Sequence, residues 1–385
     1  MSKKKIIRIT TVSSSLKILL KGQLSYMNQF YEVIGVSSNG PELIEVTKRE
    51  GIRTEGIEMT RKITPLKDLQ AVWRLYFFLK KEKPEIVHTH TPKAGTIGLL
   101  AALLARVPNR LHTIAGLPLM EATGAKRVLL NFVEKFTYAC ATKVYPNSKG
   151  IDQFVKKEGF TKSIKLKVIG EGSSNGIDIT HFDPSLISDT EKIDLKNSLH
   201  INETEKILIF LGRIVNDKGI HELVDAFVKA QQAYSNVTLI VGGLQEKELD
   251  PIKLQTEKIL QSHPKIKLIG WINDVRPYLA ISNAMVFPSY REGFPNVVMQ
   301  AGAMGIPVIA SDINGCNEII INNENGIIVP VKNTKLLELA ISNFLKQKIS
   351  PYSPQKCRDL IINRYDQKLI WQGLRKEYNS LLENR

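Results

Sequence analysis

What most constrains the fold of this chain is a rhythm: apolar runs of strand length alternate with stretches of helix length, twice over. Lys5–Val12, Tyr31–Ser37, Ile52–Met59, Glu85–His90, Arg110–Ile114 and Lys143–Pro146 read as strands. Helices are expected over Lys17–Phe30, Pro65–Lys81 (carrying Trp73, Leu75, Phe77 and Phe78), Lys93–Ala105 and Lys126–Cys140. Strands and helices alternating in this way build parallel, doubly wound α/β sheets. Their right-handed crossovers bring functional loops to the carboxyl ends of the strands. The rhythm fails at Gly170–Asp178 (GEGSSNGID), where glycine and serine cluster, which marks a linker. It then resumes with Ile207–Leu211, a helix over Gly219–Gln231, Val237–Gly242, a helix over Pro251–Gln261, and Ile266–Ile269. Pro354–Leu382 reads as helical. No solenoid-length repeat or low-complexity tract interrupts this order.

A chain of 385 residues can bury two separate cores. No apolar run reaches the ~20 residues of a membrane-spanning helix. Met1–Ile7 is lysines followed at once by a strand-like run, so no signal peptide is expected. Cys140, Cys316 and Cys357 lack metal-ligand spacing and are expected to be reduced thiols of a cytoplasmic protein. Charge is lopsided. Residues 1–170 hold 29 Lys and Arg against 13 Asp and Glu, while the remainder holds 24 against 25. A basic half points to a polyanionic partner such as anionic lipid, a lipid diphosphate or nucleic acid.

The most informative run is Ser289–Ile320, SYREGFPNVVMQAGAMGIPVIASDINGCNEII. A strand over Met285–Phe287 ends at Pro288. A polar turn of Arg291, Glu292, Gly293 and Phe294 follows, and Pro295 is expected just inside a helix that runs to Gly305. Another strand follows over Val308–Ala310. Such a strand, turn and helix present free backbone N–H groups to an anion above the strand ends. This stretch closely resembles the signature of glycosyltransferase family 4, retaining enzymes of GT-B fold, and looks most like the branch that assembles bacterial capsule, O-antigen and lipid-linked glycans. In that family a second acid follows the glutamate at Glu292 by eight positions, but Gln300 stands there in this chain. An amide still hydrogen-bonds a ribose diol but is no base.

GRIVNDKG, Gly212 to Gly219, also resembles that family's G-R-x-x-x-x-K-G pattern. The resemblance makes Arg213 and Lys218 the cations that stabilise a departing diphosphate, with Glu292 as the third catalytic residue. Gly212, Gly270, Ile272, Gly293, Phe294, Pro295, Asn296 and Gln300 complete the expected donor site. Trp271 either meets the base or belongs to the core. In the first half, His88 and His90 share a strand face without a third metal ligand. His90 and Lys93, with Gly22 and Gln23, are expected to contact acceptor or phosphate groups. His112 is the candidate catalytic histidine by position, although the family's usual place for it is Ala115 here. Metal-binding D-x-D, Walker A and G-x-G-x-x-G are all absent.

The resemblance implies two Rossmann-like domains facing across a cleft. An acceptor-binding domain is expected over 1–175 and a nucleotide-sugar domain over 176–353, with a C-terminal segment over 354–385 crossing back to the first. The expected activity is metal-independent transfer of a hexose or N-acetylhexosamine from a nucleotide-sugar co-substrate, UDP-linked, with no cofactor. The expected acceptor is a polyprenyl-diphosphate-linked saccharide, reached from the cytoplasm at the anionic inner face of the membrane. The alternatives are a nucleotide-sugar 2-epimerase of the same fold and, on charge alone, a nucleic-acid-binding protein. The latter lacks helix-turn-helix, zinc-finger and aromatic-interleaved basic patterns, so no nucleic acid partner is expected.

Overall fold

The computed structural model describes residues 3–60, 64–246, 248, 250–347, 350 and 352–383. Met1 and Ser2 of the lysine-rich start, Arg61 and Lys62 of the basic half, and residues 384–385 of the C-terminal segment lie outside these. The chain forms two compact units: Met1–Gly176 together with Gln367–Arg385, and Ile177–Asp366.

The first unit holds strands β1 (Lys5–Ile9), β2 (Glu32–Ser37), β3 (Arg53–Gly56), β4 (Ile86–Thr89), β5 (Asn109–Ile114) and β6 (Lys143–Pro146). The second holds β7 (Lys206–Leu211), β8 (Val237–Gly242), β9 (Ile266–Gly270), β10 (Ala284–Phe287), β11 (Val308–Ser311) and β12 (Gly326–Val329). The sheets run β3-β2-β1-β4-β5-β6 and β12-β11-β10-β7-β8-β9, every pairing parallel. Central strands such as KILIFL in β7 are almost wholly buried, as strands covered by helices on both faces must be. Each sheet therefore reverses its winding once, between β1 and β4 and between β7 and β10. Loops diverge at such switch points and leave room for a ligand.

Two expectations are corrected. The single helix over Lys17–Phe30 is two, Ser13–Leu19 and Gln23–Asn28. Gly22 separates them at φ +75°, where a Cβ would fall 2.7 Å from the Trp371 ring. The helix Pro65–Glu82 buries Ala71, Val72, Leu75 and Leu79, one stripe at helical spacing, so Trp73 and Phe77 lie on the exposed side. The C-terminal segment is not one crossover helix. Pro354–Tyr365 belongs to the second unit and Gln367–Glu383 to the first, with the break at Asp366, whose ψ of 128° is not helical.

The last helix completes the first unit's core. Ile370, Trp371, Leu374 and Tyr378 pack with Ile6, Leu24, Ile86 and Leu111. Trp371 donates its indole N–H to Asn175 Oδ1 at 2.7 Å, and Tyr31 donates to Asn379 at 2.6 Å. Trp371→Ala should therefore lower unfolding free energy by about 3–5 kcal/mol in denaturant melts. The exposed Trp271→Ala should change it by no more than about 0.5 kcal/mol.

Candidate active site

In the second unit the loops after β7 and β10 meet backbone to backbone. β7 leads into Gly212 and Arg213, and a 3-10 turn over Asn216–Lys218 ends at Gly219. Gly219 has φ +68° and caps the helix Ile220–Ala233. A Cβ there would fall 2.1 Å from the carbonyl oxygen of Pro288, so only glycine lets the two loops touch. That contact sets Lys218 beneath the REGF turn. Its Nζ lies 2.5 Å from Glu292 Oε1 and 3.5 Å from Ser289 Oγ. The lysine and glutamate side chains are only 10% and 21% exposed, so little water screens their attraction.

The turn is braced from several sides. Tyr290 donates its N–H to the Asp217 carbonyl at 2.8 Å, and its hydroxyl donates to Glu222 at 2.6 Å. Burial, and then that carboxylate, push the phenol pKa upward, so it stays a donor. Arg291 pairs with Asp217 at 2.8 Å. Asn314 donates its amide to the Gly293 carbonyl at 2.5 Å, and Gly315 at φ +79° leaves no room for a Cβ beside that same carbonyl. Phe294 packs edge-on against Tyr365 at 5.3 Å. Pro295 is the N-cap rather than the first helical residue, and the helix Asn296–Ala303 begins directly behind the turn. Its first backbone N–H groups have no partner within the helix.

The other candidates fall around this centre in different ways. Arg213 is half exposed and pairs with Glu246, beyond β8, at 2.7 Å. Gly270 ends β9 and accepts a hydrogen bond from the Gly243 N–H at 2.7 Å. Ile272 packs against the core beside Gly242, whereas Trp271 is exposed and donates to Asn273. Gln300 sits half-buried in the second turn of Asn296–Ala303. Ser289, Asn314 and the Asp217–Arg291 pair were not foreseen as parts of the site. Asn314 stands in the INGCNEII run, but only the fold shows that it holds Gly293.

The first unit gathers its candidates differently. Lys93 pairs with Asp68 at 2.5 Å. The Gly22 N–H is taken by Glu50 at 3.0 Å. Gln23 is fully buried and donates to the Ser174 carbonyl and Asn175 Oδ1. His112 is buried and bonded to Thr89 at 2.7 Å, and burial lowers its pKa to about 4, so the ring is neutral. A Cβ on Gly95 would fall 2.5 Å from that ring. His88 lies against His90 with ring centroids 4.2 Å apart and planes tilted by 36°, and both touch a network around Arg8, a residue within the expected strand Lys5–Val12 that was not among the candidates. All three cysteines are free and buried.

Comparison with known proteins places this geometry. Residues 9–148 match the family described as Glycosyl transferase 4-like, and residues 191–367 match Glycosyl transferases group 1. The chain is 32% identical to the capsular polysaccharide biosynthesis glycosyltransferase CapM of Staphylococcus aureus, covering 100% of this chain and 99% of that one. It is 29% identical to the UDP-Gal:alpha-D-GlcNAc-diphosphoundecaprenol alpha-1,3-galactosyltransferase of Escherichia coli, over 80% of this chain and 78% of the other. Among solved structures, a glycosyltransferase from Rickettsia africae ESF-5 superposes with a TM-score of 0.82 at 20% identity, over the whole of both chains. The paired doubly wound sheets are thus those of the GT-B fold, and the chain belongs to the family-4-like glycosyltransferases.

Proposed function

We propose that this glycosyltransferase moves a hexose or N-acetylhexosamine from a UDP-sugar, with retention of configuration, to a polyprenyl-diphosphate-linked saccharide in surface polysaccharide assembly. The observation that carries the reading is the Lys218–Glu292 pair at the switch point of the second sheet. One member can meet a departing phosphate and the other the sugar. The Lys218 ammonium has three donors, of which Glu292 takes one. With Arg213 and the N–H groups opening Asn296–Ala303, it would stabilise charge developing on the leaving diphosphate. Glu292 would hold sugar hydroxyls, and Gln300 the ribose. Glu292 is engaged by Lys218, which suits a step in which the departing phosphate itself takes the acceptor's proton. The names of the two relatives above, one capsular and one acting on a diphosphoundecaprenol acceptor with UDP-Gal, support the donor and acceptor classes.

Steady-state kinetics with UDP-sugars test the assignment. Lys218→Ala and Arg213→Ala should each lower kcat by about a hundredfold or more, on the order of 3 kcal/mol, with the fold intact. Glu292→Gln should lower kcat, whereas Gln300→Ala should raise the donor KM by about 1–3 kcal/mol equivalent. Full turnover by the Lys218 and Arg213 variants would remove the donor site from this loop.

In this reading the cations and helix N–H groups would do the work that a divalent ion does in other transferases. We therefore infer metal-independent transfer. EDTA should leave the rate unchanged, and a strict requirement for Mg²⁺ or Mn²⁺ would contradict it.

We infer that the first unit works at an anionic membrane surface. Leu66, Leu69, Trp73 and Phe77 line the exposed side of Pro65–Glu82 at spacings of three and four residues. Val128, Leu129 and Phe132 are likewise exposed on Gly124–Cys140, and Pro92–Leu104 packs against both helices. Exposed Lys67, Arg74, Lys80, Lys81, Lys126 and Lys135 stand on the same two helices. No helix among the described residues is long and apolar enough to cross a membrane. Such faces bind interfaces by apolar area plus charge. Phosphatidylglycerol vesicles should bind the protein, neutral vesicles far less. Each lysine should contribute about 1 kcal/mol, and binding should weaken as salt rises. Equal, salt-independent binding to neutral vesicles would refute the electrostatic part.

A further inference from the structure

Arg8 is an unusual residue to find in a central strand. Its side chain is completely buried and faces the same side of the sheet as His88 and His90. Its Nε donates to His90 Nε2 at 2.9 Å, and Nη2 donates to Gln23 Oε1. Nη1 is buried with no partner. Neither acceptor carries charge. A His90 that accepts at Nε2 keeps its proton on Nδ1, and burial, then Arg8 itself, hold both His88 and His90 well below the ordinary histidine pKa. Tyr378, with its pKa raised by burial to about 12, is a neutral hydroxyl 2.7 Å from His88 Nδ1. Among the described residues no carboxylate pairs with Arg8. A buried cation without a counter-charge costs several kcal/mol, and proteins normally place an acid or a ligand anion beside it.

A small cavity lies next to this arginine's partners. It is lined by Gln23, His90, Thr113, Asn147, Ser173 and Ser174, among others, and has a volume of about 20 Å³. Ile169, Ile370 and Leu374 supply apolar wall, and Arg8 stands behind Gln23 and His90. The buried Asn147 Oδ1 and Ser174 Oγ also lack partners, so the cavity is lined by unsatisfied atoms of two residues. Space of that size admits one water-sized group. A sugar ring is too large for it, but a single oxygen of a bigger anion fits.

We propose that the first unit carries an anion site in the cavity beside Gln23 and His90, where one anionic phosphate oxygen sits under the uncompensated charge of Arg8. A guanidinium with one free nitrogen favours phosphate oxygens through charge-assisted hydrogen bonds. The Ser174 hydroxyl adds a second donor, and Asn147 Oδ1 suits the hydrogen of a protonated phosphate or of a bridging hydroxyl. The phosphate is either free in solution or carried by a prenyl diphosphate. Only the second source rests on the acceptor proposed above.

The test uses the full chain and follows thermal unfolding and calorimetric binding. Inorganic phosphate should raise the unfolding midpoint saturably, and sodium gluconate at the same ionic strength and pH should not, because a ligand of the folded state stabilises by mass action. Arg8→Gln, which keeps polar reach but removes the charge, should weaken phosphate binding by about tenfold or more. Ser174→Leu, which fills the cavity and leaves Arg8 in place, should do the same and serves if Arg8→Gln does not fold. Equal responses to phosphate and gluconate, or unchanged phosphate binding in the variants, would overturn the site. Farnesyl diphosphate binding about tenfold more tightly than phosphate, and competing with it, would assign the site to a substrate's phosphate. Binding no tighter than phosphate would assign it to a free anion. A protein that binds phosphate at Arg8 but transfers no sugar would refute the transferase reading and leave this one standing.

Discussion

The second unit depends on one contact, the seating of the Gly219 backbone against the Pro288 carbonyl. Neighbouring strands β7 and β10 would in any case bring their loops near each other, but side chains would hold them apart. Removing one Cβ closes that gap and fixes the height of Lys218 under Glu292. Everything around the turn then resists its retreat. Asp217 binds both Tyr290 and Arg291, Glu222 takes the Tyr290 hydroxyl, and Asn314 grips the Gly293 carbonyl. A cation and an anion facing each other in a half-dry pocket would otherwise hold many geometries, and these bonds leave one. Preorganised charge of this kind does not have to reorganise when charge develops on a substrate.

The first unit uses polar groups in another manner, as an internal frame. Arg8 bonds His90 and Gln23, and His88, whose ring lies against that of His90, bonds Tyr378 and Thr113. Gln23 extends these bonds to Ser174 and Asn175, and Asn175 to Trp371. Burying so many polar atoms is tolerable where most are satisfied, and the exceptions, Arg8 Nη1, Asn147 Oδ1 and Ser174 Oγ, lie together beside Gln23 and His90. The network therefore ties the linker residues 173–176 to the sheet more specifically than apolar packing could.

Much of this was legible in the residues. The strand and helix rhythm carried the first sheet and all of the second but the edge strand β12, because parallel strands buried on two faces must be almost purely apolar. The GRIVNDKG and REGFPN runs marked the two loops that meet in the second unit, because glycine and proline mark backbone positions that few other residues can occupy. What stayed hidden depends on partners distant in sequence. That Lys218 faces Glu292, and not solvent, follows from a backbone contact between residues 69 positions apart. That Trp73 and Phe77 face outward is decided only by the row of Ala71, Val72, Leu75 and Leu79, which marks the inward side. Arg8 was invisible for the opposite reason: one charge in a five-residue strand reads as an edge or a surface position until the neighbours are known.

The docking of Gln367–Glu383 in the first unit bears on how the protein is made. Ile370, Trp371, Leu374 and Tyr378 are part of the same core as Ile6 and Leu24, so that core cannot close until Gln367–Glu383 has been synthesised. Domains usually fold as they leave the ribosome, the N-terminal one first. Here the order is reversed in its last step: Ile177–Asp366 has its whole sequence before the unit that precedes it does. For as long as translation of the tail takes, the first sheet exposes the apolar surface that this helix covers, next to the unsatisfied polar groups around Arg8. The nascent chain is then open to aggregation or to chaperone capture, and a ribosome that stalls before Tyr378 would release a protein whose second unit is finished and whose first is not.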